Sequence, residues 1–230
     1  ALLTQPKRST IVSPRPFALH PMLRYEMNTD PLGPPNATAA ERPRRIDPLA
    51  WVPRLAFVTC GVGHHEDRLH SFELALREAG LAPFNLVTVS SILPPGCDIV
   101  ERKQGLTELL PGQIVFCVLA REDTDRADVR ISSSIGMAIP EDPTQHGYIS
   151  EHHSRTEDPE PSNRYASFLA ADMLATSRGL TLDSRAKTRH QGGEYRIQGE
   201  RIHTEAITAE AVGTENGSWT TAVACAAFVL

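Results

Sequence analysis

At 230 residues the chain is sized for one domain, or one domain with an appendage, and its 40% apolar and 22% charged residues are those of a globular protein. No stretch approaches the roughly 18 apolar residues that a membrane helix requires, so no membrane partner is expected. Net charge is −5, unevenly placed: residues 1–50 hold seven Lys/Arg against four Asp/Glu, leaving 16 against 24 for residues 51–230. An acidic main region argues against nucleic acid as a partner and suits a cationic small molecule.

Residues 1–53 contain ten of the eighteen prolines and no sustained period, which predicts an irregular N-terminal arm ahead of a domain spanning 54–230. Lys7, Arg8, Arg15 and Arg24 precede the first acid. That pattern leaves an N-terminal targeting segment as the alternative to a plain cytoplasmic protein. Leu55 to Cys60 reads as a buried strand, and Gly61-Val62-Gly63 as a tight turn into a helix capped by Ser71. Phe72, Ala75, Leu76 and Ala79 form one face of that helix, and Gly80 stops it. A second strand runs from Asn85 to Ser91. Cys97 to Val100 is a short strand, and residues 104–111 are a loop or a turn of helix.

Ile114 to Ala120 and Val129 to Ile139 read as neighbouring strands joined by the acidic turn Glu122 to Asp125. Gly147 to His152 is another strand. A helix follows from Ser162 to Arg178, with Tyr165, Phe168, Leu169 and Met173 on its apolar face and Gly179 as its stop. Residues 181–193 are a polar loop. Ile202 to Val212 and Thr220 to Leu230 close the chain, joined by the turn signal Glu215-Asn216-Gly217. Seven or eight strands and two main helices without βαβ alternation predict an α+β fold of helices layered on sheets.

The four cysteines lack paired short spacing, which excludes the usual zinc signatures and a dense disulfide framework. Three (Cys60, Cys117, Cys225) sit in apolar runs and are expected buried and reduced. His146, His152 and His153 do not have metal-ligand spacing, and adjacent strand residues point to opposite faces, so no metal is expected. Gly61-Val62-Gly63 lacks the third glycine of a dinucleotide site. No GxSxG elbow exists for a serine hydrolase. Ser132-Ser133-Ser134 lies mid-strand and is read as small residues packed under a helix.

Ser90-Ser91 is different. The pair ends the apolar run Leu86, Val87, Val89 and is followed by Ile92-Leu93-Pro94-Pro95-Gly96, so it lies where a strand is forced to stop. Backbone strain gathers at such places, and the hydroxyl of Ser91 stands beside the carbonyl of Ser90. On these residues alone an ordinary strand terminus stays open. Glu73 lies off its helix's apolar stripe and reads as an exposed acid in a first turn. Glu151, in an apolar-flanked strand, reads as a partly buried carboxyl able to hold and donate a proton.

With Leu69, Ser71 to Leu76, Ala79-Gly80, Asn85-Leu86, Val89 to Pro95, Ile135 to Pro140, Gly147 to Glu151 and Cys225 to Phe228 in this order, residues 54–230 resemble the pyruvoyl-dependent arginine decarboxylases. The resemblance implies a self-cleaving αββα sandwich assembled as a homo-oligomer, a trimer with active sites between subunits. It implies that Ser91 attacks Ser90, leaving a β chain ending at Ser90 and an α chain whose residue 91 is a covalent pyruvoyl group, with no PLP and no metal. L-arginine would then lose carbon dioxide to give agmatine through a Schiff base on that group. Glu151 takes the general acid position, Asn85 a polar position beside the pyruvoyl, and Leu69 and Glu73 the substrate-binding positions. Archaeal members have Asp where this chain has Glu73, one methylene longer, which shortens the pocket by roughly 1.5 Å. Ornithine, lysine or histidine therefore stay open as substrates, and an uncleaved, non-catalytic subunit is the non-enzymatic alternative.

Overall fold

A computed structural model describes residues 47–155, 162–182, 193–197 and 200–230. The prolines of the predicted arm up to residue 46, and most of the predicted 181–193 loop, lie outside the described residues. Asp47–Leu230 form one compact unit.

Among the described residues, ten strands form two five-stranded sheets. The first contains β1 (Leu55–His65), β2 (Asn85–Thr88), β4 (Asp98–Ile99), β5 (Ile114–Thr124) and β10 (Trp219–Val229), in the order β2-β5-β10-β1-β4. The second contains β3 (Ile92–Leu93), β6 (Arg130–Pro140), β7 (Gly147–Ser154), β8 (Glu194–Ile197) and β9 (Glu200–Val212), in the order β3-β7-β6-β9-β8. Helix α1 (Arg68–Ala79) covers the outer face of the first sheet over β1 and β10, and α3 (Ser162–Ser177) covers the second sheet over β6, β7 and β9. A short helix α2 (Arg102–Thr107) lies beside β1. Most pairings are antiparallel, and the layering is the predicted α+β sandwich.

Both faces of the central strands are covered, so the core has three layers. Phe57, Val223, Cys225 and Ala227 pack under α1 with Ala75 and Ala79. Ala56, Ala224, Ala226 and Phe228 meet Ile135, Met137 and Ile149 between the sheets. Ala170, Ala171 and Leu174 of α3 close the third layer with Ala138 and Ile202. Truncating Phe57, which has no exposed surface, removes a contact worth about 3–5 kcal/mol.

Several local expectations are corrected. Gly61-Val62-Gly63 is not a turn; β1 runs through it to His65. The two glycines face α1, and a Cβ at Gly61 would lie 2.3 Å from the Ala75 carbonyl oxygen and one at Gly63 2.1 Å from that of Ser71. They are the groove in which the helix lies. Ser71 is not the N-cap: Asp67 accepts the His70 amide, and Ser71 is a buried helical residue bonded to Thr221. Gly80, at φ 78°, does end the helix.

The predicted pairing of the strands around residues 114–120 and 129–139 does not occur. β5 belongs to the first sheet and β6 to the second, and Glu122, Asp123 and Thr124 lie inside β5. Likewise the turn at Gly217 joins β9 and β10 across the sandwich and makes no hairpin. On α3 the buried face is Ala166, Ala170, Ala171, Leu174 and Ala175, with Phe168; Tyr165, Leu169 and Met173 fall to its flanks. The cause is again a glycine, since a Cβ on Gly136 would lie 2.3 Å from the Ala166 carbonyl oxygen and only small residues allow that approach. Of the cysteines, Cys117 and Cys225 are buried but Cys60 is only half-buried, and all four are free thiols.

Candidate active site

The serine pair occupies the crossing between the sheets. β2 and β3 are the edge strands of the two sheets, and residues 89–91 carry the chain from one to the other. Val89 makes the last bond of the first sheet, its amide donating to the Cys117 carbonyl at 2.9 Å. Ser91 makes the first bond of the second, its carbonyl accepting the Ile149 amide at 2.8 Å. Among the described residues, the peptide between Ser90 and Ser91 has no backbone hydrogen bond of its own. It is held from both ends and free in the middle. Opening it costs no ladder pairing, and both new ends stay anchored.

Ser90 is exposed along a mostly apolar cleft of about 340 Å³. Val89, Ile92, Pro94, Phe116 and Phe228 form part of its wall, and the rest comes from Trp51, the last residue of a 3-10 turn Pro48–Trp51, with Val52 and Pro53 after it. This segment, expected to be irregular, was missed as a neighbour of the serines. A tryptophan among prolines just ahead of the first strand was the only signal for it.

Glu151 lies on β7 opposite Ile135, two residues beyond Ile149. It is therefore about 7 Å further along the strand, on the face turned toward the first sheet. Ser91 and Glu151 thus meet the same strand, Ser91 by its bond to Ile149 and Glu151 two residues on. Glu151 is exposed in the single chain, so the partial burial expected for it is not found.

The other predicted residues stand apart from the serine pair. Asn85 begins β2, about 16 Å of extended chain before Ser90, and its side-chain amide donates to the Gly112 carbonyl at 2.8 Å. Leu69 and Glu73 lie on α1, over the middle of the first sheet and on its outer face. Leu69 is 72% exposed. With His70, Asp67 and Arg77 these two line a surface hollow of about 320 Å³. Arg77 Nε holds Glu73 Oε1 at 2.6 Å, while Glu73 Oε2 is shielded from solvent without a hydrogen-bond partner. His70 Nε2 lies 4.0 Å from that oxygen.

The start of α1 is clamped. Asp123, buried at the end of β5, takes both nitrogens of the Arg68 fork at 2.7 and 3.0 Å and lies 3.4 Å from Arg121. Arg68 and Arg121 also lie over the rings of Trp219 and Phe72. Sequence reading placed Asp123 in a solvated turn and so missed this clamp.

His152 packs on Tyr165 of α3, and burial lowers its pKa, whereas His153 faces the other way. No group of three or more metal-ligating side chains occurs among the described residues, and no helix there is long and apolar enough to cross a membrane.

Fold and site together define the class: an αββα sandwich with adjacent serines at the crossing between its sheets. Within that class the chain belongs to the pyruvoyl-dependent arginine decarboxylase family, whose model matches residues 55–230. The "Pyruvoyl-dependent arginine decarboxylase" of Methanococcoides burtonii is 50% identical over 179 residues, covering 78% of this chain and 99% of that one. The "Probable pyruvoyl-dependent arginine decarboxylase" of Chlorobium luteolum is 49% identical over 178 residues, 77% and 98% of the two chains. The "Pyruvoyl-dependent arginine decarboxylase 2" of Methanosarcina acetivorans is 48% identical over 178 residues, 77% and 97%. Membership implies a covalently bound pyruvoyl group.

Proposed function

We propose that the chain is a self-processing decarboxylase that converts L-arginine to agmatine and carbon dioxide, with Ser91 as the source of its pyruvoyl group. The observation that carries this reading is the Ser90–Ser91 peptide, pinned at Val89 and Ser91 yet unpaired between them. The Ser91 hydroxyl attacks the Ser90 carbonyl, and scission leaves a β chain ending at Ser90 and an α chain starting at 91. The residues present fit the group. Residue 91 stays tethered through its carbonyl to Ile149 after the break, at the head of β3.

Once formed, the group supplies a ketone for the substrate α-amine and an electron sink as carbon dioxide leaves. Glu151 holds the proton that returns to the α carbon. Glu73 pairs its carboxylate with the guanidinium, and exposed Leu69 packs on the methylene stem. Asn85, Leu69 and Glu73 stand away from Ser91 within one chain, which supports a site completed by a second copy, as in a trimer of processed protomers. The catalytic domain is then residues 54–230, at work in the cytoplasm.

Arg77 on Glu73 also favours a second reading, the same chemistry on a shorter basic amino acid. Carbon dioxide release measured across arginine, ornithine, lysine and histidine separates the two. Intact mass tests the shared premise. The native chain should give two fragments divided between residues 90 and 91, the second with a blocked terminus. Ser91→Ala should give one 25.2 kDa chain without activity. An unsplit native chain defeats the reading.

A further inference from the structure

We propose that the fork between Arg68 and Asp123 is a positioning device for the substrate side chain, fixing how α1 presents Leu69 and Glu73 to arginine. The inference rests on the reading of α1 as the helix that binds the substrate. Arg68 is the first residue of α1 and the neighbour of Leu69. Its Nε and one terminal nitrogen donate to the two carboxylate oxygens of Asp123 at 2.7 and 3.0 Å. Two parallel bonds set direction as well as distance, which a point charge does not. Asp123 is buried on β5, opposite Thr221 of β10. Arg121 approaches it to 3.4 Å along the same strand and lies over the ring of Phe72. The Arg68 guanidinium also lies 5.1 Å from the ring centroid of Trp219 on β10. One side chain therefore ties the first turn of α1 to two strands.

The helix does not need that tie in order to form. Asp67 caps it by accepting the His70 amide, and Gly80 ends it. Gly61 and Gly63 receive its underside, and Ser71 is bonded to Thr221 at 2.7 Å. The Arg68 side chain is 58% exposed, and an ion pair so open to water adds little stability. A cation in the first turn also opposes the helix dipole, whose N-terminal end is positive. Asp123 offsets that repulsion, and what the fork adds is direction. The glycines set how closely α1 approaches the sheet, whereas the fork sets the rotation of its first turn. Leu69, Glu73 and Arg77 recur every four residues, so they form one row along α1, and that row lines the hollow. Turning the first turn displaces the row from the substrate side chain.

Steady-state rates of the processed enzyme test this. Arg68→Gln should raise KM for arginine about tenfold, less than the ~10²-fold that a 1 Å misplacement can cost, with kcat, chain scission and Tm close to native. Arg68→Lys, which keeps the charge and loses the fork, should fall between native and Arg68→Gln. Combined with Glu73→Ala, Arg68→Gln should add little to the KM of Glu73→Ala alone, because the fork acts through the row to which Glu73 belongs. A native KM in Arg68→Gln beside a raised KM in Glu73→Ala overturns the proposal and leaves the substrate reading of α1 standing. KM effects that multiply in the double variant overturn it as well, since the fork would then act apart from Glu73. A lowered Tm with kcat and KM impaired together makes the fork a structural tie and overturns it too. A native KM in both single variants removes the substrate from α1, and this inference with it.

Discussion

Glu151 and Glu73 are both exposed or half-exposed carboxylates, and their proposed tasks separate in kinetics. Glu151 stands two residues along β7 from Ile149, the partner of Ser91, and is assigned a proton, not a bond in self-processing. Glu151→Gln should therefore still yield two chains while kcat falls about 10²–10⁴-fold. Gel analysis with steady-state rates checks this, and normal turnover would remove Glu151 from the reaction. Glu73 is assigned binding. Losing a charge-assisted hydrogen bond of about 1.5–3 kcal/mol should raise KM for arginine roughly 10–100-fold in Glu73→Ala with scission intact. Arg77→Ala should do the reverse, because it releases the Glu73 oxygen now held at 2.6 Å. A KM that ignores both changes would place the guanidinium elsewhere.

Helix α1 carries Leu69 and Glu73, and its position is fixed by three features that local sequence only half reveals. The spacing of Phe72, Ala75, Leu76 and Ala79 and the Gly80 stop were legible, because they are properties of one helix. The seat was not. Gly61 and Gly63 look like a turn until the helix is laid on them, and Asp123 looks solvated until Arg68 and Arg121 close on it. Gly63→Val should push α1 outward and cost at least about 1–3 kcal/mol. Calorimetry should then show a Tm lower by roughly 3–10 °C. An unchanged Tm would mean that the helix is not seated where the glycines place it.

Taken whole, one chain holds the pieces of the proposed site on separated faces. The serine pair and Glu151 lie along one edge of the sandwich, with Asn85 at the other end of β2 and the α1 hollow on an outer face. A site shared between copies makes a distinctive prediction. Ser91→Ala and Glu73→Ala chains, each poor alone at low arginine, should regain decarboxylation when co-expressed, since a mixed oligomer can pair an intact Glu73 with an intact residue 91. Sedimentation should give about 75 kDa, three chains of 25.2 kDa. No recovery in mixed assemblies would confine the site to a single chain.

The sequence by itself determined both long helices and most of the strands, the α+β class, the serine pair at a forced stop and, by resemblance, the family. These are set by contacts and conformational preferences a few residues long, or by motifs read in order. Which sheet each strand joins was decided only by tertiary structure. With helices outside and a second sheet inside, the central strands are covered on both faces and lose the alternation that would mark an inner and an outer side. So β5 and β6 looked like partners, although they lie in opposite sheets, and Trp51 looked like part of a loose arm. Only the packed sandwich sets that ring on Phe116 and Ser90 in the wall beside it.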